Sequence, residues 1–159
     1  MSKKQTSIKL AVSFILTATA GGLGSIFTSS AIPSWYAFVN KPSFNPPNWL
    51  FGPVWSSLYT MMAVALFLVW RTGYQNPKTR NAMIFFITHL AINALWSAAF
   101  FGLHSPLLGL CVIIPLWLMI LVSIILFYRV RKAAAWLLVP YLLWVSFATV
   151  LNFYIYRLN

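Results

Sequence analysis

The chain has 159 residues, of which 61% are apolar and only 7% are charged. A soluble domain usually carries about 25% charged residues, so this chain has too few polar side chains to cover a water-facing surface. It contains 11 Lys and Arg residues, no Asp and no Glu, which gives a formal charge of +11. The missing carboxylates exclude a carboxylate proton relay, an Asp/Glu acid–base pair and a carboxylate metal site. The composition indicates a membrane protein.

Five apolar blocks follow one another along the chain. A bilayer core of about 30 Å needs roughly 20 apolar residues per helix, and each block meets that length. The first is too long for the apolar part of a signal peptide and lacks a clear cleavage site, so it is interpreted as a retained span. The sequence therefore predicts an all-α membrane protein, one five-helix bundle domain over residues 1–159, with spans at about 7–27, 47–70, 80–101, 106–128 and 133–156.

The second span is preceded by a proline-rich stretch, KPSFNPPNW, at residues 41–49. We expect Asn45 to cap this helix, because a side-chain amide oxygen can accept an otherwise unpaired N–H of the first turn. Pro46 and Pro47 suit that first turn, where their missing N–H groups are not needed. These residues therefore indicate the start of a helix.

The basic residues lie between the apolar blocks and form no continuous stripe, which argues against a nucleic-acid partner. They are better interpreted as topology signals. One side of the membrane receives two of them, Lys41 and Arg157. The other side receives nine: Lys3, Lys4, Lys9, Arg71, Lys78, Arg80, Arg129, Arg131 and Lys132. In a bacterial inner membrane this distribution predicts a cytoplasmic N-terminus, with the first loop and the C-terminus outside.

Four of the spans present a distinct inward face when residues are placed about 100° apart around a helix. The third, fifth and second spans each combine aromatic residues with an amide, and the first offers small residues. Such faces can enclose an apolar cavity with a few hydrogen-bonding groups. The residues are His89, Asn93, Trp96 and Phe100; Tyr141, Trp144, Ala148 and Asn152; Asn48, Trp55, Tyr59 and Met62; and Ser13, Thr17, Gly21, Gly24 and Thr28.

Each of these residues also has a purely structural interpretation. Trp96 and Trp144 either line a pocket or pack the bundle, and Asn93 either contacts a ligand or joins two helices by a hydrogen bond. The small face around Gly21 and Gly24 indicates close helix contact, within the bundle or between chains. His89 is interpreted as a hydrogen-bonded structural residue.

The single cysteine, Cys111, lies in an apolar run and is expected to be buried. Residues 150–157, VLNFYIYR, contain Leu151, Tyr154 and Arg157 at the spacing of a proposed cholesterol-recognition pattern, which is degenerate and carries little weight by itself. His89 and His104 are too far apart along the chain for a two-histidine site, so no metal site is predicted.

Three long segments resemble the tryptophan-rich sensory protein/translocator protein (TspO) family, also called the peripheral benzodiazepine receptor family. They are WYAFVNKPSFNPPNWLFGPVWSSLY at 35–59, AINALWSAAFFG at 91–102 and PYLLWVSFATVLNFYIYRLN at 140–159. The similarity covers essentially the whole chain in the same five-span order.

The resemblance implies a five-helix bundle, commonly a homodimer, that binds porphyrins such as protoporphyrin IX or haem as ligands and requires no cofactor. Sterols and isoquinoline- or benzodiazepine-type drugs are further ligands of the family. It implies a pocket beneath the first loop, and a bacterial inner membrane or a mitochondrial outer membrane as the location. The implied pocket positions are Tyr36, Trp55, Asn93, Trp144 and Ala148, and the sterol stretch maps to Leu151, Tyr154 and Arg157.

Two functions follow as expectations. The first is a binding protein with a transport or sensory role. The alternative is an enzyme that breaks down porphyrin under light, for which Trp55 and Trp144 are the candidate reactive side chains. One departure bears on both, because family members usually carry acidic residues and often end in Arg-Asp-Asn, whereas this chain ends in Arg157, Leu158 and Asn159.

Overall fold

The computed structural model describes residues 3–159, which form an all-α bundle. Five of its helices are long and apolar enough to cross a membrane, as the sequence predicts. The third long helix continues into a π-helical turn, Ala98–Gly102. The α-helices are α1 Lys3–Ala31, α2 Trp35–Phe38, α3 Asn48–Trp70, α4 Pro77–Ser97, α5 Pro106–Val130 and α6 Lys132–Leu158.

The five long helices form a closed ring. Going round it, α1 packs against α3, α3 against α6, α6 against α5, α5 against α4, and α4 back against α1. A few contacts between α3 and α4 cross the ring. The helices span the bilayer with length to spare, since 23 residues of α3 rise about 35 Å. Helices that are distant in sequence, such as α3 and α6, therefore share one interior.

Local signals explain where two of the long helices begin. Asn76 accepts a hydrogen bond from the backbone N–H of Lys78 (2.9 Å) at the start of α4, and Ser105 accepts one from Leu108 (3.2 Å) at the start of α5. In both cases a proline occupies the first helical turn. At α3 the expectation was wrong, because the residue before the helix is Pro47 and no side chain caps it.

Asn45 instead organises the first loop, residues 32–47. Its side-chain oxygen accepts a hydrogen bond from the hydroxyl of Tyr36 (2.7 Å), and its amide donates to the carbonyl of Pro46 (3.0 Å). The amide is therefore used inside the loop rather than on the helix. The loop is also tied to the end of α6, because the backbone N–H and C=O of Asn40 both bond the side chain of Asn159 (3.0 Å each).

The single cysteine is a second correction. Cys111 is exposed on the outer face of α5 rather than buried, because its neighbour at position 113, Ile113, takes the inward position. His89 is fully buried, and its Nδ1 lies 2.6 Å from the carbonyl oxygen of Phe86 one turn earlier. That contact agrees with its interpretation as a hydrogen-bonded structural residue.

Candidate ligand-binding cavity

A cavity of about 540 Å³ lies between α1, α3 and the end of α4, within the range of small-molecule sites. Aromatic residues form one side of its wall and small residues form the other, and several hydroxyl groups line it. The residues that line it are Phe14, Thr17, Ala18, Gly21, Gly22, Gly24, Ser25, Thr28, Ser29, Ile32, Asn48, Phe51, Gly52, Trp55, Ser56, Tyr59, Thr60, Trp96, Ser97 and Phe101. None of these side chains carries a charge.

The aromatic wall is built from residues on two helices. On α3 the rings of Trp55 and Tyr59 are stacked, with centroids 5.6 Å apart. The indole of Trp96, on α4, lies 6.4 Å from that of Trp55. Phe101, in the π-helical turn, meets Trp96 edge-on at 5.9 Å. The wall therefore offers several flat surfaces to a ligand, and its geometry is within the range of favourable aromatic pairs.

The opposite wall is the small face of α1. A Cβ atom on Gly21 would lie 2.7 Å from the ring of Tyr59, and one on Gly24 would lie 3.0 Å from the hydroxyl of Ser97. The absence of side chains lets α1 approach α3 and α4 closely, as small residues commonly do between membrane helices. Of the two alternatives for this face, the structure shows contact within the bundle.

The cavity opens between α1 and α3, where its lining residues are exposed. Ser25 and Ser29 lie at this mouth on α1, and Ser56 and Thr60 on α3. The hydroxyls of Ser25 and Thr60 donate to carbonyls of their own helices (2.8 and 2.9 Å). Their oxygen atoms therefore remain able to accept a hydrogen bond from a ligand. A ligand that arrives from the lipid would meet acceptor groups here.

Hydrogen bonds behind the aromatic wall hold it in place. Asn93 is buried and donates from Nδ2 to the hydroxyl oxygen of Tyr59 (3.1 Å). The indole N–H of Trp96 donates to Oδ1 of Asn152 (3.3 Å), and Nδ2 of Asn152 donates to the carbonyl of Pro106 (2.8 Å). These bonds join α3, α4, α5 and α6 behind the site, which fixes the ring positions.

Of the residues expected to bind ligand, Trp55 and Trp96 line the cavity. Asn93 lies behind it and is connected through Tyr59. Tyr36 is also buried behind the wall, where its ring meets Phe51 (6.3 Å) and Phe101 (5.7 Å). Burial raises the pKa of the Tyr36 phenol from its ordinary value of 10.0 to about 12, so this side chain acts as a hydrogen-bond donor.

Trp144 and Ala148 lie on α6, outside the lining residues. Both are half-buried, and the indole of Trp144 packs edge-on against Phe51 at 6.2 Å and beside Phe147 at 5.5 Å. Phe51 therefore separates Trp144 from the cavity, since its ring contacts the tryptophan and lines the wall.

The residues of the sterol pattern are spread over two environments on α6. Leu151 is buried, whereas Tyr154 and Arg157 are exposed. The ring of Tyr154 packs edge-on against Phe44 of the first loop at 5.4 Å. Tyr154 and Arg157 therefore belong to the outer surface of α6, and none of the three residues lines the cavity on α1 and α3.

Some lining residues were not foreseen from the sequence. Phe51, Phe101 and the hydroxyls of Ser25, Ser29 and Thr60 face the cavity because α1 stands off from α3 at its outer edge. The small face of α1 was the available signal for this wall. It indicated close packing, and it did not show where the packing ends and the cavity begins.

Comparison with known proteins agrees with this architecture. The TspO/MBR family model matches residues 12–157. A tryptophan-rich protein TspO of Archaeoglobus fulgidus is 45% identical over 152 residues, which cover 96% of this chain and 97% of the relative. The translocator protein of Homo sapiens is 34% identical over 151 residues, 94% of this chain and 89% of that protein. The five apolar helices and these matches show that the chain is an integral membrane protein and belongs to the TspO/MBR family.

Proposed function

We propose that this protein binds a flat, mostly apolar tetrapyrrole of the porphyrin class within the membrane and serves a sensory or transport role. The observation that carries the proposal is the cavity itself. It is of small-molecule size, and the rings of Trp55, Tyr59 and Trp96 form one wall opposite the glycine face of α1. The cavity lies beside the contact of Gly21 with Tyr59, and its flat aromatic surface and small side chains suit a planar ligand.

The names of relatives support the role rather than the ligand. One relative from Cereibacter sphaeroides, 38% identical over 125 residues, is a tryptophan-rich sensory protein, and those from mammals are translocator proteins. We infer that this chain takes up its ligand from the bilayer through the opening between α1 and α3.

Charge also favours this ligand class. A porphyrin carries carboxylates, and the chain has 11 cationic side chains and no acidic one to repel them. Lys41 is engaged elsewhere, because its ammonium donates to the carbonyl of Val39 (2.8 Å) and lies over the ring of Tyr36 (4.8 Å). Asn48 and the hydroxyls at the cavity mouth are the polar groups nearest to a bound ligand.

The test is a titration of the protein in lipid nanodiscs with protoporphyrin IX in darkness. Quenching of tryptophan fluorescence measures the binding. Saturable quenching that Trp55→Leu and Trp96→Leu weaken supports the cavity as the site. Haem and cholesterol, each added to the protein loaded with protoporphyrin IX, establish which flat ligands compete. Quenching that does not saturate, or that neither substitution alters, contradicts the proposal.

Light-dependent porphyrin breakdown is the second candidate function, and one observation favours it. Trp55 lines the cavity and stacks on Tyr59, while Trp96 is a ring-to-ring neighbour, so an excited ligand would touch oxidisable side chains. Trp144, the other candidate reactive residue, is separated from the cavity by Phe51. Illumination of the loaded protein in air, with and without Trp55→Phe, distinguishes the functions: a bilin-like absorbance that depends on Trp55 indicates an enzyme, and an unchanged porphyrin spectrum indicates binding alone.

A further inference from the structure

A second, smaller cavity lies at the opposite end of the bundle from the first loop. It has a volume of about 190 Å³ and is lined by Leu68, Arg71, Thr72 and Arg131. Arg71 immediately follows α3, and Arg131 stands between α5 and α6. The fold therefore brings two guanidinium groups, which are 60 positions apart in the chain, to one concave surface at the ends of three membrane helices.

The charge of these arginines is not balanced within the chain. The sequence contains no Asp and no Glu, so no side-chain carboxylate can pair with either guanidinium. The guanidinium of Arg71 lies over the ring of Phe67 (5.6 Å), which leaves its donors available.

The backbone around the cavity has both polarities. Helix α6 starts directly after Arg131, and no side chain caps its first turn, so the positive end of its dipole faces this region, whereas α3 and α5 end here with their negative ends. Three carbonyls at the ends of α3 and α5 accept hydrogen bonds from donors of the chain. Trp70 accepts from Lys9 (3.2 Å), Val69 accepts from the hydroxyl of Thr72 (2.8 Å), and Phe127 accepts from the N–H of Arg131 (2.6 Å).

We propose that this cavity binds the phosphodiester head group of an anionic phospholipid. Guanidinium groups match phosphate oxygens with paired N–H donors, and basic pockets between the ends of membrane helices bind anionic head groups. The lipid, rather than free phosphate, is the occupant because both arginines are exposed. Exposed pairs hold a free ion weakly in water, whereas a lipid is confined to the membrane plane and its chains can pack beside Leu68.

The test compares two double variants of equal charge in detergent by native mass spectrometry with added phosphatidylglycerol. Arg71→Gln with Arg131→Gln removes both guanidinium groups of the cavity. Arg80→Gln with Arg129→Gln removes two exposed arginines from the same end of the bundle that do not line it. Each cation near the membrane surface contributes about 1 kcal/mol, and about 1.4 kcal/mol changes an affinity tenfold. Removal of the first pair should therefore weaken phosphatidylglycerol binding roughly 30-fold. The second pair does not line the cavity, so it should weaken binding clearly less than the first pair.

Phosphatidylcholine and inorganic phosphate serve as the other ligands. The proposal expects retention of phosphatidylglycerol in preference to phosphatidylcholine, and no competition by inorganic phosphate at equal concentration. Equal losses in the two double variants would show a general surface attraction and overturn the proposal. Binding of inorganic phosphate as tight as that of the lipid would overturn the assignment to a lipid. Porphyrin binding should be the same in both variants, so this site and the main cavity are tested separately.

Discussion

The side-chain amide of Asn93 donates a hydrogen bond to the hydroxyl oxygen of Tyr59 over 3.1 Å, and of the two residues only the tyrosine lines the cavity. The bond crosses from α4 to α3, and Asn93 is buried. Asn93 therefore acts on the site through the position of the Tyr59 ring. The bond agrees with the interpretation of Asn93 as a residue that joins two helices.

Removing either partner of this bond should cost stability, and removing both should cost less. Tyr59→Phe leaves the buried Asn93 amide without an acceptor, so we expect a loss of about 1–3 kcal/mol in the free energy of unfolding. In the double variant Tyr59→Phe with Asn93→Leu, no polar group is left unpaired, and most of that loss should be recovered. Denaturation in detergent measures the free energy of unfolding of Tyr59→Phe, of Asn93→Leu and of the double variant. Losses that simply add would contradict the coupling of the two residues.

The two tryptophans of the wall should matter for ligand affinity and Trp144 should not. Trp55→Leu and Trp96→Leu each remove a flat ring from the cavity, and an aromatic pair contributes about 0.5–1.5 kcal/mol beyond its buried area. We therefore expect protoporphyrin affinity to fall about two- to tenfold in each variant. Trp144→Leu is the matched control, since Phe51 lies between its indole and the cavity. A loss confined to Trp144→Leu would instead favour a pocket on α6.

The architecture was accessible from the sequence because the bilayer imposes a length on each helix. The boundaries at residues 47–48, 70 and 106 follow from hydropathy and from prolines, which suit first turns. Inward faces also followed from helical periodicity, so Trp55 and Trp96 were correctly expected to face inward. These inferences depend only on a repeat of about 100° per residue.

The details of the site depended on contacts between distant segments, which no local pattern contains. Asn45 has the residue type of a helix cap, but the Tyr36 hydroxyl lies 2.7 Å away and takes its oxygen. Cys111 lies in an apolar run, yet α5 turns it outward. Likewise, a helical wheel puts Trp144 and Trp55 on inward faces alike, and only the arrangement of α1, α3 and α6 separates them.

Adding a methyl group to the glycine face should have opposite effects at adjacent positions. In Gly21→Ala the new Cβ would lie 2.7 Å from the Tyr59 ring, which must shift, and we expect a cost of about 1–3 kcal/mol in stability together with weaker ligand binding. At Gly22 nothing lies within 4 Å, so Gly22→Ala should be neutral or stabilise by up to about 1 kcal/mol. Tyr59→Leu should relieve the Gly21→Ala variant if the clash is the cause. Equal effects at the two glycines would refute this explanation.

The buried hydroxyl of Tyr141 on α6 differs from that of Tyr59, because it has no hydrogen-bond partner in the described residues. The Oη atom of Tyr141 has no hydrogen-bond partner within residues 3–159, although its ring packs against those of Trp55 and His89. Tyr141→Phe keeps the ring and removes the unpaired group, so we expect unchanged stability or a gain of up to about 1 kcal/mol. Thermal unfolding in detergent, measured beside Tyr59→Phe, provides the contrast. A loss in Tyr141→Phe as large as that in Tyr59→Phe would show that the hydroxyl has a partner.

The first loop should loosen at high pH through Tyr36. Burial raises the pKa of its phenol from 10.0 to about 12, so the folded protein favours the protonated form more than the unfolded chain does. The resulting stabilisation is fully present below pH 10.0 and is lost as the pH rises towards about 12. We expect protease cleavage within residues 32–47 to increase over that interval, because ionised Tyr36 can no longer donate to Asn45.

Tyr36→Phe separates this effect from other effects of alkaline pH on the chain. The variant lacks the donor at every pH, so its loop should be cleaved faster at neutral pH and should show a smaller increase above pH 10.0 than the wild type. Asn45→Ala removes the acceptor and should match it at neutral pH, while Lys41, whose ammonium lies over the Tyr36 ring, is unchanged in both. An identical rise in cleavage for the wild type and Tyr36→Phe would exclude Tyr36 as the source of the pH dependence.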